Sequence, residues 1–324
     1  MSSGPVGPPT VLILTPVYNE TAGLDAYERA VRDTLLARTD CSVHVLFIDD
    51  GSTDDSWEKI RAIAARDGRF RGIRLSRNYG SHIALSAGFA NIGDADAVAT
   101  LASDLQDPPE VVSQFIDAWQ RGSDIVWGKR TTRDESWLRV VTSRMFERLI
   151  RRHAMPRRSK FTTGSFLLVD RKVAECFANF HEHNRVTFAL VAWTGFSEGV
   201  VEYERRRRQT GKSGWTYGRM VKTMYDTFIG FSQTPIRVMT IMGALVSLLT
   251  LPMAGYIVYH RLAGHPILGW TSIMLPLTLF FGLQFLMMGI VGEYLYRIYA
   301  EVVRRPLYFI SATTDAREPA RHGR

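Results

Sequence analysis

A cluster of oxygen-bearing side chains follows a short apolar run near the centre of the chain. The run Ala97–Leu101 is followed by Ser103-Asp104-Leu105-Gln106-Asp107. Carboxylate and carbonyl oxygens are the ligands of hard cations such as Mg²⁺ and Mn²⁺, and a site with one or two carboxylates usually completes its coordination with substrate phosphates. The pattern therefore predicts a metal site for a substrate that carries a diphosphate. The alternative is that Asp104 and Asp107 only cap the helix that Pro108 begins.

Two further polar clusters also follow apolar runs. Tyr18-Asn19-Glu20 comes after the first run, and Asp49-Asp50-Gly51 comes after the second. In a parallel sheet, ligands bind beyond the carboxyl ends of the strands, so we expect these clusters and Asp104 to share one crevice. The alternative is that Asp50-Gly51 is only a turn, with Asp54 and Asp55 as favourable charges in the first turn of a helix.

Alternating strands and helices must position these clusters. Apolar runs at 11–14, 43–48, 72–75, 97–101 and 125–127 predict strands. Helical patterns lie between them at 24–36, from a cap at Ser52 through 65, at 81–91 and at 109–120. Strands separated by helices indicate an α/β fold with a mostly parallel sheet.

Two long apolar segments follow this region. Neither Val238–Tyr259 nor Ile267–Gly292 contains a charged residue, and each exceeds the roughly 20 residues that cross a bilayer as a helix. They predict two membrane spans joined by a short hairpin; a buried core helix is the alternative for each. Basic residues on both outer flanks favour a cytoplasmic location for the catalytic domain and both termini, and Met1–Pro9 has no apolar region typical of a signal peptide.

The net charge is +8, from 40 basic and 32 acidic residues. The basic clusters at 151–160, at Arg205–Arg208 and in the tail lie near or before the apolar segments, which favours lipid headgroups and phosphates over nucleic acid as partners. The two cysteines, Cys41 and Cys176, fit a reducing compartment.

Several motifs together resemble the inverting GT-A-fold polyprenyl-phosphate glycosyltransferases, which include dolichol-phosphate mannose synthase-like and bactoprenol glucosyltransferase-like enzymes. The motifs lie at 15–20, 47–56, 77–80, 103–110, 164–166, 211–215 and 292–299. The resemblance implies a GT-A (Rossmann-like) nucleotide-sugar domain with a mostly parallel sheet, an interfacial helix and two transmembrane helices. The implied organisation is a flexible N-terminus (1–9), the GT-A domain (10–216), an interfacial amphipathic helix (217–235), transmembrane helices at 236–260 and 266–293, and a cytoplasmic tail (294–324).

The implied activity is transfer of a single sugar from a nucleotide-diphosphate sugar, with UDP favoured, to polyprenyl (undecaprenyl) phosphate. The transfer would proceed with inversion at the cytoplasmic membrane face, use Mg²⁺ or Mn²⁺, and serve cell-envelope glycosylation. Relatives often form homo-oligomers.

The resemblance also assigns roles to individual residues. It implies nucleotide binding by Pro16, Tyr18, Glu20 and Asp50, and metal binding by Asp104 and Gln106. Acceptor phosphate binding falls to Arg130, Arg139, Ser143, Arg205 and Ser213, and catalysis to Asp104, Arg208 and Lys212.

The chain departs from the family pattern in three places. Many relatives have Asp-Ala-Asp where this chain has Ala102-Ser103-Asp104, so one carboxylate remains and we expect weak metal affinity without nucleotide. Ser165 stands where some relatives have Asp, so the sugar is not identified. The segment from Arg130 to Trp137 is shorter than the Gly-rich loop of the mannose synthases.

Two other functions stay open. A processive polysaccharide synthase shares the early motifs, but it normally has more spans and a Gln-x-x-Arg-Trp element, whereas this chain has Gln209-Thr210-Gly211-Lys212-Ser213-Gly214-Trp215. The missing first carboxylate suggests a non-catalytic membrane scaffold with a nucleotide-sugar fold.

Overall fold

The computed structural model describes residues 7–131, 160, 166–180, 182, 185–206, 234–263 and 269–315. The chain divides into a unit that contains the sheet, formed by residues 1–227 and 305–324, and a helical unit formed by residues 228–304.

The described strands of the first unit form one mixed sheet. The strands are β1 (Thr10–Val17), β2 (Ser42–Asp49), β3 (Phe70–Leu75), β4 (Ala97–Thr100), β5 (Ile125–Arg130), β6 (Leu167–Asp170), β7 (Glu198–Tyr203) and β8 (Ile310–Thr313). Their order across the sheet is β7-β5-β6-β4-β1-β2-β3-β8. β6 and β8 are antiparallel to their neighbours, whereas all the other pairs are parallel. The predicted α/β fold with a mostly parallel sheet is confirmed.

Helices of the first unit connect these strands. They are α1 (Leu24–Thr34), α2 (Ser56–Arg66), α3 (Ser81–Phe89), α4 (Pro109–Gln120), α5 (Arg171–Ala178) and α6 (Thr187–Trp193). α1 buries Leu24, Tyr27 and Val31, whose spacing places them on one helix face against the sheet. The four helices and five strands expected before residue 131 are all present.

The sheet core is made of apolar strand residues covered by helices on both faces. Leu12, Ile13, Leu14 and Val45 are almost fully buried, as expected for parallel strands that are covered on both sides. This packing holds the strand ends at fixed positions, so that the loops following them start from a rigid base.

The last strand of the sheet comes from the segment that we expected to be a tail (294–324). β8 pairs antiparallel with β3, and the Thr314 N–H donates to the Gly72 carbonyl at 2.9 Å. Tyr308, just before β8, is 1% exposed, whereas the adjacent Phe309 is 50% exposed. Residues 307–314 are therefore part of the folded sheet unit.

The helical unit contains α7 (Thr234–Leu262) and α8 (Trp270–Val303), which include the predicted segments 236–260 and 266–293 except for residues 266–269. Within the residues described, one helical stretch, Leu279–Val303, is long and apolar enough to cross a membrane. The two helices approach each other at Gly243, where an added Cβ would lie 3.4 Å from the Met287 Cε. The predicted interfacial helix, 217–235, lies outside the described residues except for its last two positions, which begin α7.

We predict that Tyr308→Ala lowers the free energy of unfolding by about 3 kcal/mol, because it removes a fully buried aromatic ring. Thermal or denaturant unfolding of the purified protein would measure the change. Phe309→Ala is the matched control, for which we expect a change within about 0.5 kcal/mol because its ring is half exposed. Equal losses in the two variants would contradict the docking of this segment.

Candidate functional site

The carboxyl ends of β4, β1 and β2 lie side by side, so the loops that follow them meet at one edge of the sheet. The Asp50 N–H donates to the Val17 carbonyl at 2.8 Å, and the Ser103 hydroxyl donates to the Pro16 carbonyl at 3.4 Å. The structure thus brings the first three polar clusters together. Of the expected nucleotide residues on the first loop, Tyr18 is exposed, and Pro16 and Glu20 are half-buried.

The loop after β1 is held against the loop after β2 by reciprocal polar contacts. The Asn19 N–H donates to the Ser52 hydroxyl at 3.0 Å, and the Thr53 N–H donates to the Asn19 Oδ1 at 2.8 Å. Asn19 adopts the left-handed region at φ +54°, which asparagine tolerates better than most residues. The prediction that Ser52 caps a helix is wrong, because its hydroxyl serves this contact and α2 begins at Ser56.

Asp50 holds a third loop in place. Its Oδ1 accepts from the Tyr79 N–H at 2.7 Å, and its Oδ2 accepts from the Gly80 N–H at 2.8 Å. The backbone of this loop also passes close to Gly51, which has φ +69°. An added Cβ at Gly51 would lie 2.4 Å from the Arg77 carbonyl carbon, so only glycine fits there. Asp50-Gly51 is therefore a turn that also clamps the Arg77–Gly80 loop beside the expected nucleotide position.

Burial is the main influence on the ionisation of this carboxyl. Asp50 is 3% exposed, and burial raises its pKa to about 6, although the two backbone donors act in the opposite direction. The side chain therefore sits in an environment where protonation begins only slightly below neutral pH.

The loop after β4 carries the expected metal residues. Asp104 and Gln106 are half-buried, and the Gln106 N–H donates to the Asp104 Oδ1 at 3.2 Å. Leu105 between them has φ +53°, a conformation that branched apolar residues rarely adopt and that is common at functional sites. The strained turn places Asp104 and Gln106 on the same short loop.

The donor set of this loop fits a cation that shares its coordination with a substrate. Within the ranges that the structure describes, no group of three or more His, Cys, Asp or Glu side chains could hold a metal. One carboxylate and one amide do not make a complete cage, but Mg²⁺ is commonly held by one or two carboxylates, waters and substrate phosphates. Asp104 and Gln106 therefore fit a metal only together with a phosphate-bearing ligand.

Basic side chains lie at the ends of β5 and β7. Arg130 ends β5 and pairs in register with Tyr203, which ends β7 two residues before Arg205. The side chains of Arg130 and Arg205 are each 34% exposed, and both approach the Asp107 Oδ1. The structure thus brings together two of the residues expected to bind an acceptor phosphate.

The remaining expected residues, Arg139, Ser143, Arg208, Lys212 and Ser213, lie outside the described residues. Their assignments stay predictions. Arg206, the last described residue of the basic cluster, forms an exposed ion pair with Glu110 at 3.2 Å.

Sequence reasoning missed two contributors to this edge. Tyr203 was not considered, although an apolar-polar alternation leading into the basic cluster at Arg205–Arg208 could have indicated a strand that ends there. Asp107 was considered only as a cap or a metal neighbour. In the structure α4 has no side-chain cap, and the Asp107 carboxylate accepts a hydrogen bond from Tyr203 instead.

Comparison with known proteins gives a family match. A profile described as "Glycosyl transferase family 2" matches residues 12–178, from within β1 to the end of α5, and includes the loops after β1, β2 and β4. The match therefore contains the Asp50, Asp104 and Arg130 positions.

Two relatives resemble nearly the whole chain. The undecaprenyl-phosphate 4-deoxy-4-formamido-L-arabinose transferase of Edwardsiella ictaluri is 34% identical, over 95% of this chain and 95% of that protein. The bactoprenol glucosyl transferase of Shigella phage SfII is 31% identical, over 93% of this chain and 97% of that protein.

A solved structure of glucosyl-3-phosphoglycerate synthase from Mycobacterium tuberculosis, in complex with Mn²⁺, UDP and phosphoglyceric acid, is also similar. It shares 15% identity and a TM-score of 0.49 over 68% of this chain and 76% of that one. A likeness at this level carries no argument about ligands.

We predict that Asp50 makes folding stability depend on pH. Its pKa is near 3.8 when unfolded and about 6 when folded, so the folded state binds the extra proton, and this group's contribution to stability rises as pH falls from above 6 towards 4. The stability of the wild type relative to Asp50→Asn should therefore increase over that range, with a slope of at most roughly 1.4 kcal/mol per pH unit. Unfolding measured at pH 7.5, 6 and 4.5 tests this.

Asp54→Asn is a control of opposite sign. Burial acts to raise the pKa of Asp54, but hydrogen bonds from Ser56 and Thr21 outweigh it and lower that pKa. Its contribution should therefore be lost as pH falls. A pH-independent difference between wild type and Asp50→Asn would contradict the Asp50 prediction.

Proposed function

Because the chain belongs to glycosyl transferase family 2, we propose that this glycosyltransferase moves one sugar from a nucleotide-diphosphate sugar to a polyprenyl phosphate such as undecaprenyl phosphate. The carrying observation is its similarity, over more than nine-tenths of the chain, to two relatives whose names specify undecaprenyl phosphate or bactoprenol. A uridine donor is favoured over a guanosine donor. The product would be a polyprenyl-phosphate sugar for cell-envelope glycosylation.

The edge formed by the ends of β1, β2 and β4 supports a donor site. Pro16, Tyr18 and Glu20 would line the base and ribose beside Asp50, which accepts hydrogen bonds from the Tyr79 and Gly80 N–H groups and would hold their loop beside the donor. Asp104 and Gln106 would hold Mg²⁺ or Mn²⁺ against the diphosphate, where the cation would stabilise the departing nucleotide diphosphate. A buried carboxylate that matches a base or ribose donor contributes strongly to selectivity.

The basic end of β5 and β7 supports an acceptor site. A phosphate monoester carries about −1.5 to −2 charge at pH 7, so its oxygen can attack the anomeric carbon without a strong base and mainly needs positioning. Arg130 and Arg205 would bind this phosphate, with Arg139, Ser143 and Ser213, while Arg208 and Lys212 would stabilise the charge that develops during transfer. A single in-line displacement inverts the anomeric centre.

The course of the chain supports a membrane hairpin. The chain on both sides of residues 228–304 belongs to the sheet unit, because β8 pairs with β3. A segment whose two ends join one folded unit crosses a bilayer an even number of times, so α7 and α8 would both span it. The excess of basic residues outside the hairpin favours the cytoplasmic face for the catalytic unit and both termini.

The two alternatives make different demands on the chain. A processive polysaccharide synthase would extend a glycan on repeated turnover, and a scaffold would show no turnover at all. A donor panel with purified protein, Mg²⁺ and a short-chain polyprenyl phosphate separates the three, because only the proposed function yields a lipid carrying one sugar by mass.

We predict that Asp104→Ala slows this transfer by at least about 100-fold, because it removes the one carboxylate that we assign to the metal. The rate of lipid-linked product formation at saturating Mg²⁺ measures the loss. Asp94→Ala is the matched control, because this exposed aspartate precedes β4 whereas Asp104 follows it. The rate of this variant should stay near that of the wild type. Near-normal turnover in Asp104→Ala would contradict the assignment of Asp104 as a metal ligand.

The hairpin predicts a specific pattern of accessibility in sealed vesicles. Tags before Met1 and after Arg324 should both be reached by protease only from the cytoplasmic side. A label inserted between His260 and Pro266 should be reached only from the opposite side. Tags at the two termini that become accessible from opposite sides would rule out the hairpin.

A further inference from the structure

Asp107 lies in the loop between β4 and α4, and its side chain turns away from the helix that follows it. α4 begins at Pro109 with Pro108 at the N-cap position and no side-chain cap, so Asp107 lies one residue before the cap position and does not cap the helix. The carboxylate is buried at 6% exposure, and its Oδ1 accepts a hydrogen bond of 2.6 Å from the Tyr203 hydroxyl. A buried carboxylate needs partners, so its surroundings indicate its role.

Two arginines, one at the end of β5 and one just after β7, approach the same carboxylate oxygen. The Arg205 Nε lies 3.4 Å from the Asp107 Oδ1, and the Arg130 Nη2 lies 3.8 Å from it. The Arg130 Nε also donates to the Tyr203 hydroxyl at 3.2 Å. One anion therefore lies between two cations that would repel each other at this separation without it.

Main-chain hydrogen bonds connect the ends of β5 and β7 to the loop after β4. The Arg206 N–H donates to the Gln106 carbonyl at 2.9 Å, and the Thr131 N–H donates to the Tyr203 carbonyl at 2.9 Å. The ends of β5 and β7 and the loop that carries Asp104 are thus tied together by main-chain bonds. These bonds hold Asp107, which lies in the same loop as Asp104, beside the ends of β5 and β7.

We propose that Asp107 is a positioning residue, which sets Arg130 and Arg205 for the acceptor phosphate and does not bind substrate itself. This inference rests on the proposed function. The Asp107 contacts with the two arginines are longer than a tight bidentate pair, and a guanidinium has five N–H donors, so an arginine held in this way can still bind a phosphate. One carboxylate also leaves the pair of arginines with a net positive charge.

Tyr203 fixes the direction of the carboxylate. Burial and the nearby Asp107 charge raise the pKa of Tyr203, so its hydroxyl remains protonated and continues to donate. The ring is held edge-on against Phe166, with centroids 5.1 Å apart. The hydroxyl therefore acts as a fixed donor to the carboxylate.

The test uses the full-length protein in detergent or nanodiscs. Asp107→Asn keeps an oxygen for the Tyr203 hydroxyl and removes only the charge, so we expect the acceptor KM to rise roughly ten-fold while donor affinity stays within about two-fold. Glu110→Gln is the matched control, because it makes the same change in the exposed Arg206 pair three residues later, and it should alter neither constant. The thermal midpoint is measured for each variant.

A double-mutant cycle tests the coupling directly. If Asp107 positions Arg205, then Arg205→Ala should raise the acceptor KM less in the Asp107→Asn background than in the wild type. Additive effects of the two changes would overturn the proposal, as would an Asp107→Asn variant that matches Glu110→Gln. A variant that loses donor affinity as much as acceptor affinity would also overturn it, since Asp107 would then act on the donor as well as on the two arginines.

Tyr203→Phe keeps the test decisive if Asp107→Asn does not fold. This variant keeps every charge and removes the hydroxyl that donates to the Asp107 carboxylate and accepts from the Arg130 Nε, so the acceptor KM should rise by a smaller factor with donor affinity unchanged. An unchanged acceptor KM in Tyr203→Phe would contradict the proposal. If the proposed function itself is wrong, the wild type will form no product that depends on polyprenyl phosphate. This result differs from every outcome that concerns Asp107 alone.

Discussion

The parallel pairing of β1 with both β2 and β4 is the constraint on which the site depends. Each of these strands ends in a residue cluster that has no obvious relation to the others along the chain, and the pairing brings all three to one edge. The register matters as much as the order, because a slip of one residue would reverse the face on which every side chain lies. The buried runs of Leu12–Leu14 and Val45–Ile48 resist such a slip, so the chemistry of the loops rests on the packing of the core.

The second half of the edge depends on β6. This strand is antiparallel to both β4 and β5. It therefore separates the proposed donor side of the sheet from β5 and β7 and still leaves their carboxyl ends at the same edge. Asp107 then joins the halves, since it belongs to the loop after β4 and contacts side chains from β5 and the segment after β7. One reversed strand between two parallel sets can in this way leave the proposed donor and acceptor sides at the same edge of the sheet.

Local patterns predicted much of this fold and less of the site. The first five strands and four helices follow from apolar periodicity, because each buries a continuous face of its own. β8 could not be predicted in that way, since Ile310–Thr313 is short and pairs with a strand more than 230 residues earlier. Asp107 shows a limit of another kind: an aspartate before two prolines has the signature of a cap, and only tertiary contact with Tyr203 distinguishes the two roles.

The position of β8 also sets an order of events during synthesis. The edge of β3 stays unpaired until the ribosome has completed all of α7 and α8, so the nascent sheet waits with an open edge and without Tyr308 in its core. Unpaired strand edges are prone to association with other chains. Completion of the sheet unit therefore comes after emergence of the apolar helices, and a chain truncated before residue 310 would keep the edge of β3 exposed.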